Sequence, residues 1–224
     1  KHLVCVHRDS GELAWSYECG RADLSVAVGN GKVFCAELIN KRRGETAEKA
    51  KLKTRGFDIE TGNILWEMTN GSPIRYGELH DLLISSSGTY QGKDGQRLRA
   101  GIASAQIVGQ RVVSGTADSF NVYDLLTGEK QGDELKWVRR GCTGLRSSCH
   151  LITTRFKGNA AYVDLETRNI TSLWNIRSAC NNNLFPANGI LNVPNLTGGC
   201  ECNYTPSSKA FVPLAVIEHG GGSR

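Results

Sequence analysis

The chain of 224 residues contains one methionine, and no apolar run in it approaches the roughly 18 residues that a membrane-crossing helix needs. A transmembrane segment is therefore not expected, and only the stretch 44–53 reads as a helix. Catalytic signatures are missing as well: there is no Gly-x-Ser-x-Gly elbow and no Walker phosphate loop. The five histidines, His2, His7, His80, His150 and His219, are dispersed, so none pairs with another at ligand spacing. Two adjacent cysteines occur nowhere, and neither does a zinc-type Cys-x-x-Cys pair. Ser148-Cys149-His150 lacks the earlier cysteine of a haem attachment sequence. A helical bundle, a membrane-spanning helix and the common hydrolase and nucleotide-binding classes are set aside on these grounds.

What the chain does have is 26 glycines and a turn written four times. Asp9-Ser10-Gly11 leads to Trp15, Asp58-Ile59-Glu60-Thr61-Gly62 leads to Trp66, and Asp164-Leu165-Glu166-Thr167 leads to Trp174. The fourth copy, Asp124-Leu125-Leu126-Thr127-Gly128, reaches a tryptophan only at Trp137. Apolar stretches of strand character flank each copy, for example Phe120-Asn121-Val122-Tyr123 and Ala161-Tyr162-Val163, so each copy marks a hairpin. Gly11, Gly62 and Gly128 supply the positive φ such turns need, and the Asp accepts hydrogen bonds from nearby amides. Gly62 follows Gly11 by 51 residues, Gly128 follows Gly62 by 66, and Arg168 stands 40 further on. A unit of about 40 residues is one four-stranded propeller blade, and repeats decide architecture before single residues decide chemistry.

Asp-x-x-Thr-Gly-x-x-x-Trp at this spacing resembles the tryptophan-docking repeat of PQQ-like, quinoprotein-type β-propellers. The resemblance implies an all-β propeller of four-stranded antiparallel blades in which Trp15, Trp66 and Trp174 pack against the neighbouring blade; Trp137 departs from the spacing. Such rings have seven or eight blades, more than 224 residues provide, so a partial ring of about four to five blades is expected. We assign a half blade at 1–20, blades at 21–70, 71–140 and 141–176, a Cys-rich closing segment at 177–218 and a tail at 219–224. A half blade exposes sheet edges. A companion chain or an N-terminal half completing the propeller is the expected partner.

The last third resembles the C-terminal region of large secreted bacterial PQQ-like repeat proteins over about residues 110 to 213. The likeness rests on Arg177-Ser178-Ala179-Cys180, Pro186-Ala187-Asn188-Gly189 and Gly199-Cys200-Glu201-Cys202. It implies an extracytoplasmic location, periplasmic, outer-membrane associated or secreted, where eight cysteines read as disulfides. Cys200 and Cys202 point to one side of a strand and are poorly placed to bond each other. Cys142 and Cys180 are their candidate partners, and Cys149 then pairs with Cys5, Cys19 or Cys35, the connectivity staying open. A thiolate metal site on Cys200 and Cys202 with Cys142, Cys180 or His150 is the competing reading.

The net charge of +5 is carried by one region. Lys41, Arg42, Arg43, Lys49, Lys51, Lys53 and Arg55 outweigh Glu45 and Glu48 in an insertion at 40–55, leaving the rest neutral. A contact with an acidic partner and a solvated hairpin tip both fit; aromatic residues for base stacking do not interleave, so nucleic acid is not expected.

Quinoprotein dehydrogenases of this superfamily hold PQQ with calcium, using a Trp floor, an Asp base and often a disulfide of adjacent cysteines. This sequence lacks the adjacent pair, and its tryptophans are assigned to docking. The expectation is a non-catalytic propeller scaffold that needs no cofactor and binds a protein or glycan partner. The alternatives are the C-terminal half of a PQQ-dependent oxidoreductase, with PQQ and calcium, and a cysteine-ligated metal protein.

Overall fold

The computed structural model describes residues 2–19, 23–38, 52–69, 72–116, 118–138, 145–148, 150–176, 184–193 and 209–211. Strands follow one another as antiparallel neighbours in chain order, and the chain divides into two compact units, 1–105 and 106–224. Among the described residues the single helical element is a 3-10 turn at Glu78–His80, and no helix is long and apolar enough to cross a membrane.

Unit 1 holds three sheets. The first is the hairpin β1 (His2–Val6) and β2 (Leu13–Glu18). The second is four-stranded: β3 (Asp23–Gly29), β4 (Lys32–Leu38), β5 (Lys53–Asp58) and β6 (Ile64–Thr69). The third is a shorter meander of β7 (Arg75–Gly77), β8 (Leu82–Ile84), β9 (Thr89–Gln91) and β10 (Arg97–Arg99). Consecutive side chains on a strand face opposite ways, and β4 uses both faces. Val33 and Cys35 join Leu3, Trp15, Cys19 and Phe57 in the core against the first sheet. Phe34 and Ala36 join Trp66, Ile74, Leu83 and Tyr90 in the core against the third. A strand buried on both faces reads as a continuous apolar run, as Val33-Phe34-Cys35-Ala36 does.

Unit 2 repeats the plan. β11 (Ala105–Val108) opens its first sheet, with β12 (Arg111–Gly115), β13 (Ser119–Asp124) and β14 (Leu135–Lys136). β15 (Arg146–Ser148), β16 (Leu151–Phe156), β17 (Asn159–Asp164) and β18 (Ile170–Leu173) form the next, followed by the three-stranded β19 (Phe185–Ala187), β20 (Ile190–Val193) and β21 (Lys209–Phe211). Again the middle strand alternates: Ala161 and Val163 of β17 face Val113, Phe120 and Trp137, while Ala160 faces Leu184 and Val193.

The stretch 71–140, taken from its sequence as one blade, instead holds two four-stranded sheets. The first was hidden because its strands are three residues long and its turn, Gln91-Gly92-Lys93-Asp94-Gly95, has neither the Asp at the entrance nor a Trp after it. Its hydrogen bonds are nonetheless those of the repeat. The Gly95 amide donates to the Gln91 carbonyl as Gly62 donates to Asp58 and Gly128 to Asp124. The helix expected over 44–53 lies mostly outside the described residues, and its last residue, Lys53, begins β5.

Candidate functional site: docked turns and a polar cleft

The repeated turn is built by its own side chains. Asp58 Oδ1 accepts from the amides of Glu60 and Thr61, Asp124 Oδ1 from Leu126 and Thr127, and Asp164 Oδ1 from Glu166 and Thr167. Thr61, Thr127 and Thr167 then accept at Oγ1 from the amides of Asn63, Glu129 and Asn169. Amide donation favours the ionised carboxylate, so the Asp58 and Asp164 carboxyls are held below their ordinary value, chiefly by the Thr61 and Thr167 amides. The first turn departs from this. Gly11 donates to the carbonyl of His7, so His7 occupies the place of Asp58, and Asp9, expected to staple the turn, is an exposed residue within it.

Each turn in unit 1 after the first is covered by a tryptophan from the preceding sheet. Trp15 lies on Gly62, where an added Cβ would sit 2.7 Å from the indole, stacks on Phe57, and donates Nε1–H to the Ile59 carbonyl at 2.8 Å. Trp66 covers Gly95 in the same way, 2.9 Å from a built Cβ, and donates to the Gly92 carbonyl at 2.8 Å. Both acceptors stand three residues before the turn glycine. A side chain on that glycine would collide with the indole, which adds a packing reason to its φ of +71°.

Unit 2 corrects the assignment of the other two tryptophans. Trp174, expected to dock, is 62% exposed and lies beyond the end of β18. Docking works four residues after the left-handed turn residue, and Trp174 stands six after Arg168 (φ +61°). Trp137, whose spacing looked wrong, is 1% exposed, packs on Phe120 and Phe156 and donates to the Arg155 carbonyl of the next sheet at 2.8 Å. Its outer strand is interrupted between an isolated Tyr123–Lys130 bridge and β14, which displaces the tryptophan along the sequence. At the regular position stands Gly132, and there the contact is inverted: Arg168 reaches back from the next turn to donate to the Asp133 carbonyl, its Nη1 2.7 Å from a Cβ built on Gly132. This exchange was missed in the sequence, although glycine where Trp is expected and Arg where Gly is expected were its visible signal.

Beside these turns unit 2 has a polar cleft of about 450 Å³, lined by Gln110, Arg111, Asp124, Gln131, His150 and Glu166 among others. His150 Nδ1 lies 3.2 Å from Glu166 Oε1, both exposed. Asp124 is engaged with the turn amides and with Gln131 Nε2. The cleft therefore offers charge and hydrogen bonding. A second hollow of about 580 Å³ is apolar, with Leu151, Tyr162, Leu173, Pro186, Ile190 and Leu191 on its walls.

Of the basic residues expected to form one loop, Lys41, Arg42, Arg43, Lys49 and Lys51 lie outside the described residues. Lys53 and Arg55 are strand residues of β5. Arg55 is 8% exposed and pairs with Glu37 at 2.8 Å and Glu67 at 2.7 Å, and Lys53 pairs with Glu67 too. They are neutralised within their sheet. The candidate metal and disulfide residues Cys142, Cys180, Cys200 and Cys202 also lie outside the described residues, as does Cys149. Among the described residues no three His, Cys, Asp or Glu side chains converge as a metal site, and Cys5, Cys19 and Cys35 are free thiols.

No family model and no curated protein matches the sequence. Solved structures do match in fold. The computationally designed Ika8 protein superposes with a TM-score of 0.59 at 18% identity, over 84% of this chain and 60% of its own. BamB from Moraxella catarrhalis gives 0.54 at 14% identity, over 93% of this chain and 71% of its own. Both are propellers. The fold is that of a partial β-propeller. The sheets are thus its blades, and the chain spans about three fifths of the designed propeller's length.

Proposed function

We propose that the chain is a non-catalytic PQQ-like β-propeller scaffold, which binds a protein or glycan partner outside the cytoplasm and is completed by a further blade. The free flank of the first blade carries this reading. Val6 stands five residues before Gly11, as Phe57 stands five before Gly62. Phe57 and Gly62 are covered by Trp15, whereas Val6 is 54% exposed and, among the described residues, nothing lies within 4 Å of a Cβ built on Gly11. Val4 and Leu13 are exposed on the same side, Leu13 directly across from Val6. An apolar sheet face with an uncovered docking turn calls for another blade bearing its own tryptophan, supplied by the same polypeptide or by a companion. By the rule of the other turns the Arg8 carbonyl, three residues before Gly11, accepts its indole N–H.

The apolar hollow beside β19 and the cleft around Arg111 and His150 are the recognition surfaces this reading offers to a partner. A photo-crosslinking residue placed at Val6 tests it in the natively produced protein. Crosslinks are expected to a segment carrying Trp four residues after a turn glycine. Crosslinks to no such segment, or stoichiometric quinone absorbance in native material, overturn the reading.

A further inference from the structure

We propose that the polar cleft of unit 2 takes an acidic side chain of a protein partner, its carboxylate lying between Arg111 and His150. The inference rests on the reading of that cleft as a recognition surface, and it follows from two blade junctions built on one plan. In unit 1 the amides of Ile59 and Gly92 donate to the carbonyls of Gly31 and Asp81, the last residues before β4 and β8. In unit 2 the amides of Leu125 and Leu165 donate to the carbonyls of Gln110 and His150, the last residues before β12 and β16. Arg111, which opens β12, therefore stands in the place of Lys32, which opens β4, and His150 stands in the place of Asp81.

Across the unit 1 junction these two positions are an ion pair. Lys32 Nζ lies 3.2 Å from Asp81 Oδ1, and the Tyr76 hydroxyl donates to the same oxygen at 2.5 Å. In unit 2 a histidine has replaced the carboxylate, and Arg111 and His150 line a cleft of about 450 Å³. The Arg111 side chain is half-buried, and among the described residues no hydrogen bond or ion pair engages its guanidinium. A cation drawn partly out of water without a partner is costly, and a carboxylate matches its fork of donors. The space is open because Gly132 stands four residues after Gly128, where Trp66 stands four after Gly62; Gln131 beside it lines the cleft.

The acidic groups of the cleft are engaged elsewhere. Asp124 Oδ1 accepts from the Leu126 and Thr127 amides and Oδ2 from Gln131 Nε2. Glu166 pairs with His150 on the protein surface, and an exposed pair of that kind is weak, so an incoming carboxylate can displace it. The presence of Asp124 and Glu166 also favours a singly charged carboxylate over a phosphate. None of the lining residues is aromatic, which leaves a sugar ring without a stacking platform. In unit 1 the group that fills the corresponding position is an aspartate side chain, which is the chemistry proposed for the ligand.

The test is an NMR titration of the full chain with the peptide acetyl-Gly-Ser-Asp-Ser-Gly-amide, its Asn counterpart and digalacturonate, the imidazole signals of His150 being identified through His150→Asp. The Asp peptide is expected to bind and shift those signals, and the Asn peptide to leave them unmoved. Arg111→Gln is expected to weaken binding about tenfold, and Glu166→Gln to strengthen it by removing the internal competitor. His150→Asp supplies the missing carboxylate from within and is expected to abolish binding; should it fail to fold, Arg111→Gln and Glu166→Gln decide. No binding of the Asp peptide, equal binding of the two peptides, an affinity unchanged in Arg111→Gln, or tighter binding of digalacturonate than of the Asp peptide overturns the proposal. Such a failure is separate from failure of the scaffold reading, which the crosslink at Val6 on the first blade reports.

Discussion

Trp137 and Trp174 have fates opposite to those their spacing predicts. Trp137→Ala empties a site between Phe120 and Phe156 and removes the indole hydrogen bond to the Arg155 carbonyl, so a loss of about 3–5 kcal/mol is expected. Trp174→Ala removes an exposed ring and is expected to change stability by no more than about 0.5 kcal/mol. Urea denaturation of the two variants checks the pair, and equal losses would restore the docking role first assigned to Trp174. The turn carboxylates make a second prediction. The folded-state values of Asp58 and Asp164 lie below their ordinary 3.8, so their contribution is complete above the unfolded value and lost as pH falls through the folded one. Asp58→Asn keeps an amide acceptor but does not titrate. Its urea midpoint is expected to fall less steeply than wild type below about pH 4.

At the scale of elements, the blade-to-blade contact is a pair of positions, and its two members can trade sizes. Trp15 on Gly62 and Trp66 on Gly95 put the bulk on the outer strand; Gly132 under Arg168 puts it on the turn. Gly132→Trp alone collides with Arg168, and Arg168→Gly alone removes a backbone contact while relieving a left-handed non-glycine residue. The double variant removes the collision, while the left-handed backbone at Gly132 (φ +66°) strains the tryptophan equally with and without Arg168. A double-mutant cycle is expected to give a favourable coupling of about 0.5–3 kcal/mol; additive effects would mean the two positions do not communicate. The basic stretch 40–55 teaches a related lesson. Counting charges placed Lys53 and Arg55 in a solvated insertion, but strand pairing sets Arg55 opposite Glu67 and beside Glu37. A net local charge says nothing of which cations already have partners across a sheet.

At the scale of the molecule, the exposed apolar side chains Val4, Val6 and Leu13 of the first blade govern behaviour in isolation. Val6→Lys with Leu13→Glu places opposite charges directly across the hairpin. Folding stability is expected to stay within about 0.5 kcal/mol while hydrophobic-dye binding and self-association fall. Unchanged dye binding would show that these side chains are not the exposed apolar surface of the protein.

The all-β class and the hairpin turns were legible because their causes are local. Asp-x-x-Thr-Gly closes a turn through hydrogen bonds spanning no more than four residues, and the apolar stretches beside it, such as Ala161-Tyr162-Val163 of β17, mark the strands that it joins. The blade over 75–99 was not legible, since its turn keeps the backbone hydrogen bonds while changing the side chains that advertise them. Nor was the choice between Trp137 and Trp174, which depends on where an interrupted outer strand delivers an indole against the next blade. The sequence by itself determined the turns and the strands that they join, both set within a few residues. Only the tertiary structure decided which tryptophan is buried and that Arg168 and Gly132 exchange roles, because each is a contact between blades and depends on what the facing sheet presents.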